Sequence, residues 1–97
     1  MNQIIPIVDI SDDGKAITCK GGDGIAKWTM GNPSYEDWQR LGHGIYTEDA
    51  LRQGIFRWVN GITENDVTVV FSPYGGLDFN LTYSVPSAKL IKITEAR

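Results

Sequence analysis

The stretch Val67-Thr68-Val69-Val70-Phe71-Ser72-Pro73-Tyr74-Gly75-Gly76-Leu77-Asp78-Phe79-Asn80-Leu81-Thr82-Tyr83-Ser84-Val85 decides the fold class. Over 77–85, Leu77, Phe79, Leu81, Tyr83 and Val85 alternate strictly with Asp78, Asn80, Thr82 and Ser84. Successive side chains of a strand point to opposite faces, so this alternation describes a strand with one dry face and one wet face. Upstream, Val67, Val69 and Phe71 alternate with Thr68, Val70 and Ser72. The intervening Pro73-Tyr74-Gly75-Gly76 is turn chemistry, so the two runs form an antiparallel hairpin. Pro86-Ser87 ends the second run, and 88–94 adds a third strand, making a meander.

Working outward, 4–10 is an apolar run in which Pro6 marks an edge position. Asp12-Asp13-Gly14 is a turn, and 16–20 and 25–30 are short strands around Gly21-Gly22-Asp23-Gly24. The 11 Ile against 5 Leu add to the strand bias. The middle of the chain reads as two helices. Asn32 before Pro33, or Ser34 with Asp37, caps the first, which Gly42 and Gly44 end. Thr47 caps the second, with Glu48 and Asp49 in its first turn and Gly61 after its last residue. On a helical wheel Leu51, Ile55, Trp58 and Val59 fall in one arc of about 100°, which would face the sheet. Gly54 on this helix implies a close approach to the sheet, since a mid-helix Gly costs about 1 kcal/mol against Ala. The expectation is one α+β domain over 1–97: an antiparallel sheet of N-terminal strands plus a C-terminal three-strand meander, with two central helices on one face.

Composition narrows the function classes. Twelve Asp and Glu against nine Lys and Arg give a net charge of −3, the wrong sign for a general phosphate-backbone binder. The basic residues are not interleaved with aromatics, so nucleic acid is not the expected partner. The single cysteine, Cys19, allows neither an intrachain disulfide nor a Cys-based zinc site. The first ten residues lack a basic leader segment and no apolar run reaches 18 residues, so an intracellular, reducing (cytoplasmic) location without a membrane span is expected.

Motifs that could carry chemistry are sparse. Gly21-Gly22-Asp23-Gly24 shares letters with the active-site loop of diguanylate cyclases, but the length and metal-binding context of that family are missing, and a hairpin loop explains it. Asp9, Asp12 and Asp13 lack the ladder of oxygen ligands that calcium needs. His43, the only histidine, would need Cys19, a Ser or a Thr as nucleophile and a carboxylate to orient it. No catalytic residue, metal or cofactor is therefore assigned, and no enzyme activity is expected.

The aromatics point elsewhere. On the expected second helix Phe56 lies about 60° outside the apolar arc, beside Arg52. Tyr74 lies in the hairpin turn, Tyr46 just before the second helix, and Tyr35 on the first. Exposed aromatics beside Arg are the residue types of binding hot spots. Phe56, Arg52, Tyr74, Tyr46 and Tyr35 are thus the expected partner-binding residues of a non-enzymatic protein-interaction module. On this reading Trp58 belongs to the core and Phe56 to the surface. Small acidic α+β chains are common among phage and mobile-element accessory proteins, including anti-CRISPR inhibitors, a similarity of type rather than of motif. The alternative is a structural subunit: Ala50-Leu51-Arg52-Gln53-Gly54-Ile55 resembles a helix of the baseplate wedge family of contractile phages, and the strand edges at 4–10 and 88–94 would support a homo-oligomer. A small enzyme around His43 is the third reading.

Overall fold

The computed structural model describes residues 5–42 and 46–96. The strands β1 (Ile7–Ile10), β2 (Ile17–Lys20) and β3 (Ala26–Met30) form one antiparallel sheet in the order β1-β2-β3. Two short helices follow, α1 (Tyr35–Leu41) and α2 (Glu48–Arg52). The strands β4 (Ile55–Ile62), β5 (Asp66–Ser72), β6 (Phe79–Ser84) and β7 (Leu90–Glu95) then form a second antiparallel sheet in chain order. The α+β class and the meander stand as the alternation implied, with Val67 opposite Tyr83, Val69 opposite Leu81 and Phe71 opposite Phe79. The strands divide into two sheets, and the second gains a strand that the helical reading had consumed.

That strand is β4. The expected second helix stops at Arg52, and Ile55, Phe56, Trp58 and Val59 pair with β5. The register slips between Phe56 and Trp58 and again between Val59 and Gly61, leaving Arg57 and Asn60 as extra residues. Each such bulge inserts one residue into the two-residue alternation. The core-facing residues Phe56, Val59 and Ile62 are consequently three apart. A strand with two bulges thus imitates the spacing of an amphipathic helix. The β-branched and aromatic content of 55–62 suits the strand, and pairing with β5 realises it.

The helix ends follow their capping residues. Ser34 Oγ accepts from the Asp37 amide at 3.1 Å, and Thr47 Oγ1 from the Ala50 amide at 3.0 Å. At the C-terminal end of α2 the backbone carbonyls gather two donors from distant parts of the chain. Lys15 Nζ reaches the carbonyls of Arg52 (3.1 Å) and Gly54 (2.9 Å), and Asn32 Nδ2 reaches those of Leu51, Arg52 and Gly54 at 2.9–3.0 Å. Helix-terminal carbonyls lack intrahelical donors and carry partial negative charge, so an ammonium and an amide there end the helix favourably. Gly54 makes the close approach its sequence position suggested, but at a helix-to-strand junction. A Cβ there would lie 2.5 Å from Phe71 Cζ and 2.7 Å from the Ser72 carbonyl.

The core lies between the two sheets. Ile17 and Cys19 of β2 join Phe56, Val67, Val69, Phe71, Phe79, Leu81, Tyr83 and Ile93 of the larger sheet, with Trp38 of α1 and Leu51 of α2 completing it. Trp38 meets Phe79 edge-on at 5.1 Å and lies 6.1 Å from Phe71. The helices and the smaller sheet therefore share one face of the four-stranded sheet. No described helix or strand packs on its other face, and that face carries the candidate site.

Candidate functional site

The turn residues singled out in the sequence are structural. Asp13 accepts from Ser11 Oγ at 2.7 Å and from the Lys15 amide at 3.0 Å, and Gly14 takes φ +72° to close the β1–β2 turn. The Ser11 hydroxyl first, then the Lys15 amide, hold the Asp13 carboxyl below its ordinary pKa. Asp9 pairs with Lys20 at 2.6 Å. Gly21-Gly22-Asp23-Gly24 is the β2–β3 turn, where Asp23 accepts from the Ile25 amide and Gly24 takes φ +84°. No group of three or more His, Cys, Asp and Glu among the described residues could hold a metal ion. Cys19 is fully buried, and burial pushes its thiol above the ordinary value, the setting of an unreactive cysteine. His43 lies outside the described residues. No helix among them is long and apolar enough to cross a membrane.

Of the expected partner-binding residues, Phe56 is corrected outright. It is 2% exposed, its ring packs against Phe71 at 5.1 Å, and its amide donates to the Gly14 carbonyl at 2.8 Å. The bulge at Arg57 exchanges the roles: Phe56 turns to the core and Trp58 to solvent at 50% exposure. Tyr46 is half-buried, edge-on to Trp38 and Phe79, so it serves packing. Arg52 is exposed and paired with Asp49. Tyr74 is exposed beside α2, its amide donating to the Ala50 carbonyl. Tyr35 is exposed on α1, where its hydroxyl accepts from Gln39. Arg52 and Tyr74 thus share one end of the molecule, whereas Tyr35 stands on the other helix.

The open sheet face brings together residues that the helical reading separated. Trp58, Val70, Asn80 and Thr94 are successive cross-strand partners on β4 to β7. Val70 is only 1% exposed yet stands outside the core cluster, so it is covered from the open side. Trp58, Asn60, Val70, Asp78, Asn80 and Ala96 line a shallow depression of about 290 Å³. A second, of similar volume, shares Asp78 and Ala96 and is lined by Leu77, which is 70% exposed rather than the inward strand residue its alternation implied. The strand begins only at Phe79.

Polar groups on this face are tied to one another. Asn60 Nδ2 donates to Asn80 Oδ1 at 2.9 Å, and Thr68 and Thr82 share a hydroxyl hydrogen bond at 2.9 Å. Arg57 Nε donates to Ser72 Oγ at 3.1 Å, and Ser72 Oγ donates to Asp78 Oδ1. The result is a pre-ordered surface with two exposed apolar side chains, Trp58 and Leu77, framed by an Arg-Ser-Asp chain and an Asn pair.

No protein-family profile, no curated protein and no solved structure matches this chain.

Proposed function

We propose that the chain is a non-catalytic protein-interaction module whose docking surface is the open face of the four-stranded sheet, anchored by Trp58. The observation that carries this reading is Trp58 itself, held half out of the surface by a bulge that places it over Val70. Large aromatics and Arg concentrate binding energy at interfaces, and side chains already fixed by hydrogen bonds lose little freedom on association. Arg57, restrained by Ser72 and Asp78, supplies the second such group. A module of this size acts by occupying its partner's surface, as an inhibitor or an adaptor does. Tyr74 and Arg52 lie at the hairpin end and would extend the contact.

The test compares affinity capture from native lysate by wild type, Trp58→Ala and Ile25→Ala. Ile25 is an exposed apolar residue in the turn just before β3 of the other sheet. A stoichiometric protein partner retained by wild type and Ile25→Ala but lost by a folded Trp58→Ala supports the reading. Capture of the same proteins by all three, or of none by wild type, overturns it.

A further inference from the structure

The two depressions on the open face, each about 290 Å³, meet at Asp78 and Ala96. Two carboxylates, Asp78 and Glu95, line them, and no Lys or Arg does. The whole chain carries a net charge of −3. Arg57 stands nearby, but its Nε reaches Ser72 Oγ and it forms no ion pair with Asp78. Lys92, on the same face, is opposite Thr82, two residues along from the pair of Asn80 and Thr94.

Asp78 is the decisive residue. It is half-buried, and its Oδ1 accepts from Ser72 Oγ, which orients the carboxylate. Its Oδ2 has neither a hydrogen-bond donor nor a cation among the described residues. A carboxylate oxygen of this kind gains most from a charged donor, whose hydrogen bond is about twice as strong as a neutral one. Asn60 adds a second acceptor. Its Nδ2 is engaged with Asn80, and its Oδ1 has no partner among the described residues. Trp58 shares the depression with them, half exposed, and Val70 lines it beside the indole.

Oxygen acceptors beside an aromatic ring suit a planar cation. A guanidinium stacks on the ring while its fork of N–H groups meets the oxygens, and it is less strongly hydrated than an ammonium. An extended peptide backbone is not what this site reads. The strands β5 and β6 are paired on both sides, so the face offers side chains rather than free strand edges.

We propose that the partner of the open face inserts an arginine side chain here, its guanidinium stacked on Trp58 and donating to Asp78 Oδ2 and Asn60 Oδ1. Such an insertion rests on the reading of that face as a docking surface, and it gives the partner a chemistry: a basic protein segment that presents arginine.

Titration of isotope-labelled protein with the peptide acetyl-Gly-Arg-Gly-amide, followed by amide and indole chemical shifts, tests it. The same peptide with lysine, or with uncharged citrulline, in place of arginine supplies the counterparts. Saturable shifts grouped at Trp58, Asn60, Asp78, Asn80 and Ala96 are expected for the arginine peptide, with Kd on the order of 1–10 mM. The lysine peptide should bind several-fold more weakly, and the citrulline peptide about tenfold more weakly. Affinity should also fall about tenfold in Trp58→Ala and in Asp78→Asn, the scale of one stacked cation or one charged hydrogen bond. Asn keeps an acceptor for Ser72, and Trp58 is a surface residue, so both variants remain folded. No saturation by the arginine peptide below about 50 mM overturns the proposal. So does equal binding of the citrulline peptide, or unchanged affinity in both variants. Either result beside Trp58-dependent capture of a protein would sink the arginine insertion alone; failure of the docking reading shows separately, as capture that does not depend on Trp58.

Discussion

Replacing Phe56 and Trp58 in turn by Ala tests the bulged strand against the helix that the spacing suggests. Phe56 is 2% exposed with its ring 5.1 Å from that of Phe71, so truncation removes a packed ring and leaves a cavity. Such changes cost about 3–5 kcal/mol. Trp58 is 50% exposed. A fully covered Trp buries about 150–250 Å², so half coverage is on the order of 100 Å², or about 2.5 kcal/mol at ~25 cal/mol per Å². The rotamer freedom regained by the shortened side chain offsets about 1 kcal/mol of that, and no enclosed cavity forms. The expected loss for Trp58→Ala is therefore about 1.5 kcal/mol, leaving a gap of about 1.5–3.5 kcal/mol between the variants. Urea denaturation followed by far-ultraviolet circular dichroism reads this directly, provided that the slopes agree between variants. In a domain of this size each 1 kcal/mol of that gap corresponds to roughly 4–8 °C in Tm. A helix over 55–60 would reverse the order, because Trp58 would then lie in the buried stripe and Phe56 outside it. A loss from Trp58→Ala equal to or above that from Phe56→Ala would refute the strand, its bulges and the exposed aromatic anchor together.

Two further perturbations probe other parts of the argument. In Gly54→Ala the new Cβ would meet Phe71 Cζ at 2.5 Å and the backbone at Ser72 and Pro73 at 2.7 and 3.0 Å. Overpacking of this kind costs about 1–3 kcal/mol or more, whereas the same change in a solvent-facing helix would stabilise by up to about 1 kcal/mol; the sign of the shift in denaturation midpoint decides between them. The Asp13 carboxyl has its folded-state pKa lowered by Ser11 and the Lys15 amide. Its stabilising effect is present above the unfolded value, about 4, and is lost as pH falls through the lower folded value. Asp13→Asn should therefore lower Tm slightly in the neutral range, where the effect is present, and flatten its fall below about pH 4; parallel acid limbs in the two proteins would show that the turn hydrogen bonds contribute nothing to stability.

The candidate site was legible only in outline. An exposed aromatic beside an Arg was expected between the helical caps and the hairpin, and the structure has one, but it is Trp58 beside Arg57 rather than Phe56 beside Arg52. Tyr46 had nothing in its local sequence to show that Trp38 and Phe79 would enclose it, since those contacts come from α1 and β6. The depression beside Trp58 was hidden for the same reason: Trp58, Val70 and Asn80 come from separate strands that meet only in the folded chain.

The sequence by itself determined the β5–β6–β7 meander, the turns at Asp13-Gly14 and Asp23-Gly24, and the caps at Ser34 and Thr47. In each, the information is local: unbroken alternation, glycines at positive φ, and a hydroxyl within reach of the next turn's amide. Only the tertiary structure decided that 55–62 is a strand. The two bulges at Arg57 and Asn60 give Phe56, Val59 and Ile62 a spacing of three, which local pattern cannot distinguish from a helix. The backbone donors and acceptors of β5 are what select the strand, because a buried β5 with one side unpaired would leave its amides and carbonyls without partners.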